Sequence, residues 1–213
     1  MQQIPVQVRP IEKVVAQSTT AIVRLQGEVV RKTLHLLIAL VPVLASVDLY
    51  ATLVLLATGT LFYAFAESSR RLGNPVLVIS DITLIASREG DRGRFVLGPI
   101  TLGVGAMLSL ILYPEPSASI AIFALAFGDG FASLVGRVVR GPAIPFLRDK
   151  TLSGCLACFA AVFLVTFRIT RKPVESLLIA AVATALEAVP TGNFDNLIVP
   201  VGVGLFATRL LLH

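Results

Sequence analysis

From residue 33 onward the chain alternates between long apolar runs and short polar breaks. A membrane-spanning helix takes about 20 apolar residues, with roughly 17–25 common. Seven runs approach or reach that length: 33–47, 49–66, 95–113, 117–139, 151–167, 174–189 and 197–212. The first two are split only by Asp48, which predicts a tight helical hairpin. A further run, 75–86, contains Asp81 and is too short to span, so it predicts a re-entrant or interfacial helix. Ahead of the first span, Ile11, Val14, Val15, Ile22, Leu25 and Val29 recur at helical spacing among polar residues. That spacing predicts an amphipathic helix on the inner leaflet, with a helix packed on cytosolic loops as the alternative. The pattern as a whole predicts an all-α integral membrane protein of about seven transmembrane helices. It divides into an N-terminal cytosolic or interfacial segment, 1–32, and a polytopic membrane domain, 33–213. Glycines 103, 105, 202 and 204 fall inside spans, where small residues allow close helix packing.

Composition agrees. The 213 residues suit one domain. Hydrophobic residues make up 55% and charged residues 15%, against about 25% charged in soluble domains. Mean hydropathy is +0.85. The first thirty residues lack the apolar core and small-residue cleavage site of a secretory signal, so none is expected. In such a chain the net charge of +5 speaks to topology rather than to nucleic-acid binding. With the N-terminus placed in the cytosol, fourteen of the eighteen cations fall on the cytosolic side, and Arg168, Arg171, Lys172 and Arg209 fall opposite. This bias predicts a multi-pass, N-in, C-out protein, which in a prokaryote would sit in the cell membrane. Cys155 and Cys158 form a C-x-x-C inside an apolar run; two ligands do not close a zinc site, and both read as packing residues.

The chemistry lies where polar residues interrupt the runs. Asp129 sits between Gly128 and Gly130, about 12 Å along its helix from Arg137 at 1.5 Å per residue. An ionised group within a span costs roughly 2.5–3.5 kcal/mol, so it needs a partner or a wet cavity. The two glycines lower helix propensity and leave room for a ligand near the backbone. Under the predicted topology Glu67, Arg70, Arg71, Lys150, Thr151, Ser153, Gly154, Glu187, Asp195 and Asn196 all gather at the cytosolic ends of their helices. Carboxylates from separate helices (Asp129, Glu187 and Asp195) are hard oxygen ligands of the kind magnesium shares with substrate phosphates. Arg137, Arg148 and Lys150 supply positive charge for those phosphates. Lys150 and Thr151 stand at a helix start, where free amides favour anions. The set describes a metal–phosphate site at the membrane–cytosol boundary, suited to phosphoryl or nucleotidyl transfer to a lipid. There is no P-loop motif.

Four motifs in order carry a family likeness: RKTLHLLIALVP (31–42), FGDGFASLVGRVVRG (127–141), DKTLSGCLA (149–157) and EAVPTGNFDNLIVPVGVG (187–204). Together they resemble the polyprenol kinase family, which includes dolichol, phytol and farnesol kinases and the CTP-dependent diacylglycerol kinase. The resemblance implies a CTP-dependent kinase that phosphorylates a lipid alcohol with a divalent metal and releases CDP. By matching residues it implies catalytic roles for Asp129, Lys150, Glu187 and Asp195. Magnesium would lie on Asp129, Asp195 and Glu187. The nucleotide would meet Gly128, Gly130, Arg137, Lys150, Thr151, Gly154 and Asn196. Arg31, Lys32 and His35 match the family's R-K-x-x-H start, and Glu67 with Arg70 resembles its acidic–basic pair after the second span. Ser153 departs from the family, which often has Glu there.

Three readings compete with these roles. Asp129 read as structure alone pairs with a cation from a neighbouring span. A phosphatidate cytidylyltransferase-like enzyme would use the same nucleotide and metal. A small ion-coupled transporter would use Asp129 in a broken helix, but should show polar residues toward both faces. The acceptor, the oligomeric state and the general base stay open at this level.

Overall fold

The computed structural model describes residues 26–87, 93–139, 141–142, 144 and 150–212. The amphipathic pattern from Ile11 to Leu25, and Arg88, Glu89, Arg140 and Arg148, lie outside the described residues. Among the described residues, eight helices follow in order. α1 is Gln26–Val47, with a 3-10 turn at Ile38–Leu40. α2 is Leu49–Arg71 and α3 the short Ile79–Ala86. α4 is Gly98–Leu112 and α5 is Ser117–Val138. α6 is Leu152–Thr170, α7 Pro173–Ala188 and α8 Asp195–Leu211.

All seven predicted runs are therefore helices, and the short eighth run is a short helix. The hairpin forms where expected: Asp48 is extended, and its carboxylate caps α2 by accepting from the Ala51 N–H at 2.9 Å. Among the described residues, α1, α2, α5 and α6 are long and apolar enough to cross a membrane. α4, of 15 residues, is apolar but shorter. α7 and α8, at 16 and 17 residues, measure about 24 and 26 Å at 1.5 Å per residue, short of the ~30 Å hydrocarbon core. α1 starts earlier than its apolar run, because Glu28 and Lys32 are buried between helices instead of lying at an interface.

α5 is the axle of the bundle. Over its apolar stretch 56% of residues are buried, against 11% for α2. One core packs α5 with α6, α7 and α8 through Ile120, Ala124, Val162, Ile179, Ala183, Val199 and Val203. A second packs it with α1 and α4 through Ile38, Val41, Leu102, Ala106, Ile122 and Leu125. Alanines recur in both, Ala124, Ala180 and Ala183 in the first and Ala106, Ala118 and Ala126 in the second, as membrane helix interfaces favour. Gly105 shows why: a Cβ there would sit 2.1 Å from the Asn196 carbonyl oxygen, so only glycine lets α4 approach α8 this closely. Halfway along α5 the backbone widens into a π segment, Ala124–Asp129. Such segments frequently occur at functional positions, and this one ends on Asp129.

Candidate active site

Charged side chains from five helices meet at one end of the bundle. At its centre, Lys32 of α1 donates to Asp129 Oδ2 of α5 at 2.5 Å, and both are buried. His35, one turn further along α1, brings Nδ1 to 2.7 Å from the same oxygen, off the line of a well-aligned hydrogen bond. Asp129 therefore does pair with a cation from a neighbouring span, as its structural reading expects. Toward the end of the bundle, buried Glu28 joins Arg31 and accepts from Arg137 Nη2 at 2.8 Å, tying α1 to the last turn of α5. Arg137 keeps half its side chain exposed.

The α6 side carries a second pair. Lys150 Nζ donates to Glu187 Oε1 at 2.6 Å. Burial acts to lower the Lys150 pKa, but the Glu187 carboxylate, with Asp129 and Asp195 behind it, holds it above the ordinary lysine value. Lys150 thus stays charged at neutral pH and feels all three predicted carboxylates. The other oxygen of Glu187, Oε2, is buried with no hydrogen-bond partner among the described residues. Thr151 caps α6, its hydroxyl accepting from the Gly154 N–H at 3.2 Å and lying 3.1 Å from the Ser153 hydroxyl. Backbone bonds from Ile144 N to Lys150 O and from Leu152 N to Pro142 O hold this helix start in place.

Other predicted residues turn out to hold helices. Buried Asn196 gives its side-chain amide to Gly98 O at 3.1 Å and Thr101 Oγ1 at 3.0 Å, anchoring α8 to α4 next to Asp195. Buried Glu67 accepts two bonds from Arg70, at 2.7 and 2.6 Å, and the Val96 N–H at 2.9 Å. Tyr63 O–H donates to Val96 O at 3.2 Å, so the end of α2 fixes the chain entering α4. The glycines expected to open space for nucleotide face neighbouring helices. A Cβ at Gly128 would lie 3.2 Å from Cys158 Sγ, at Gly130 3.3 Å from Leu36, and at Gly154 2.7 Å from the Ala132 carbonyl oxygen. Cys155 and Cys158 are free thiols, and Cys158 packs in the core as expected.

Beneath these charges lies a groove of about 480 Å³ walled by α1, α2, α3 and α4. Leu34, Ile38, Val41, Leu56, Phe62, Ile82 and Leu102 make its body apolar. Arg31, His35, Asp129, Asp195 and Asn196 line its polar end. Leu37 and Phe62 stand half-exposed at its lip. Sequence reasoning found the polar end but missed the groove, because its walls come from four separate helices, from Leu34 to Leu102, and each wall residue reads alone as ordinary lipid-facing surface.

The implied magnesium has only a partial fit. Among the described residues no three His, Cys, Asp or Glu side chains gather as a metal site, so Asp129, Glu187 and Asp195 do not form a protein-built cage. Asp129 is engaged by Lys32, and Glu187 by Lys150. The donors suit an ion that takes most of its ligands from phosphates, as magnesium commonly does.

Among the described residues, fold and site together define a polytopic helical protein with a charged cluster over an apolar groove. Curated proteins with this sequence pattern carry kinase names. The chain is 28% identical to a probable chloroplastic phytol kinase of Zea mays over 166 residues, covering 68% of this chain and 55% of the relative. It is 32% identical to probable chloroplastic phytol kinase 3 of Glycine max over 131 residues, covering 54% and 41%. It is 32% identical to the chloroplastic farnesol kinase of Arabidopsis thaliana over 82 residues, covering 38% and 27%. The chain spans about half the length of the first of these relatives. No family model matches it, and no solved structure matches it. The relatives bear out the resemblance to the polyprenol kinase family.

Proposed function

We propose that this protein is a membrane kinase that phosphorylates an isoprenoid alcohol, with CTP as donor, magnesium as cofactor and CDP as product. The observation that carries the reading is the groove: an apolar body ending on Asp129, His35 and Asp195 suits a lipid alcohol whose hydroxyl meets charged groups. The half-exposed lip gives a membrane-dissolved substrate a lateral way in. The names of the relatives support an alcohol of the phytol or farnesol type. CTP rests on the family resemblance.

The residues divide the work as follows. Lys150 and Arg137 neutralise the triphosphate, with Thr151 and the first amides of α6 beside it. Asp195 and Asp129, at the groove's polar end, with Glu187 behind them, would hold a magnesium ion shared with the phosphates, which would offset charge on the transferring group. The alcohol oxygen bonds to the γ-phosphorus, the bridging bond to the β-phosphate breaks, and the alcohol proton passes to a carboxylate. The transfer is mostly positioning and charge stabilisation. We also read α4, α7 and α8 as spans, giving seven in all, with the charged end in the cytosol, where nucleotide is available.

Purified protein in lipid nanodiscs, given phytol or farnesol and labelled CTP or ATP, tests the reaction. CDP and a prenyl phosphate are expected. Release of pyrophosphate would mean nucleotidyl transfer, and no turnover with any alcohol or nucleotide would remove the enzyme reading. Chelation with EDTA should abolish turnover, and added magnesium should restore it.

A further inference from the structure

We infer that Gly59 on α2 sets how long a tail the groove accepts. The inference rests on the lipid-alcohol reading and goes beyond it by naming the residue that selects among linear isoprenoid alcohols. Gly59 lines the groove between Leu56 and Phe62. Counting along α2 at 1.5 Å per residue puts it about 6 Å beyond Tyr63 and about 12 Å beyond Glu67, on the side away from the charged end. A tail whose hydroxyl reaches Asp129 and His35 must pass Gly59 to occupy the space beside Leu56 and Val41.

Most glycines of the bundle have a packing reason. A Cβ at Gly103 would strike the Thr60 hydroxyl at 2.3 Å, and one at Gly105 the Asn196 carbonyl. Gly59 has none: a Cβ there meets no atom within 4 Å. Glycine is the poorest helix former after proline. In the middle of a 23-residue helix no neighbour demands it. Gly59 is itself exposed, but its spacing from Leu56 and Tyr63 puts it on the face of α2 that lines the groove, so the volume its missing side chain leaves open is on the groove side. A larger residue fits without a clash and shortens the groove from within, leaving the charged end unchanged.

The test compares the wild type with Gly59→Ala and Gly59→Leu, with Thr58→Leu placing the same leucine side chain at the adjacent exposed position outside the groove. Two readouts are taken in nanodiscs on geraniol, farnesol, phytol and a long polyprenol. The first is kcat/KM. The second is competition against a photoreactive farnesol analogue, which needs no turnover. Gly59→Leu should lower the phytol-to-geraniol ratio by about tenfold or more, the scale on which apolar pockets discriminate chain size. Gly59→Ala should fall between it and the wild type, and Thr58→Leu should match the wild type. A length-dependent shift in competition without phosphorylation would uphold Gly59 and overturn the kinase reading. Phosphorylation with an unchanged length profile would overturn Gly59 and leave the kinase reading standing. An equal loss on every alcohol, or wild-type binding blind to length, would also overturn Gly59.

Discussion

Lys32 and Asp129 are both buried, and their partnership spans 97 residues of sequence. Moving either charge out of water costs several kcal/mol, and removing one partner strands the other at about 3–5 kcal/mol. Asp129→Asn and Lys32→Met should each lower the thermal midpoint in nanodiscs. The double variant should regain most of that loss, since two neutral groups of similar volume leave no stranded charge. Additive losses would show that the two do not act as a pair. Asp129 was legible in the sequence because an acid inside an apolar run needs an explanation. Its partner was not legible as such: Lys32 reads as the end of a polar segment, and only the approach of α1 to α5 brings it inside. Gly128, Gly130 and Gly154 were visible as special positions. Their immediate neighbours, Cys158, Leu36 and Ala132, lie on other helices that the local sequence does not name.

Helix contacts decide whether the charged end assembles. α4 and α8 meet through Asn196, Thr101 and Gly105. Gly105→Val would force apart the backbones that hold Asp195 at the groove, and overpacking of this kind costs about 1–3 kcal/mol. The variant should unfold at a lower temperature and lose alcohol phosphorylation more steeply than a substitution at the lipid-facing Leu112, read by thermal unfolding and turnover side by side. An active, fully stable Gly105→Val protein would contradict this contact. Helix existence was the most legible feature, because each apolar run exceeds what a loop tolerates in a membrane. The early start of α1 was hidden, since hydropathy places Glu28 and Lys32 outside the span whereas ion pairing brings them in. The π segment left no readable pattern beyond the unusual G-D-G.

At the scale of the whole molecule, the described ion pairs and the Thr151 cap of α6 gather at one end, which the one-sided placement of polar residues had indicated. Sidedness makes a direct prediction. In a protein with its own cysteines replaced, Asn74→Cys should react with an impermeant thiol reagent only from the cytosolic side, and Glu115→Cys only from the opposite side. Both positions are exposed, at turns on either end of the helices. Labelling of both from one side would refute the seven-span arrangement. Span number was only partly legible because α7 and α8 are short for a free-standing span, and both pack against α5.

The central claim is that Asp129, at the polar end of the groove, is required for transfer of a phosphoryl group to a lipid alcohol. The most direct measurement follows γ-labelled CTP into prenyl phosphate for the wild type and for the Lys32→Met, Asp129→Asn double variant, matched for folded protein. The wild type should label the lipid. The double variant should fold yet lose at least about a hundredfold in rate, the scale of one transition-state charge contact. Wild-type rates in the double variant would contradict the account.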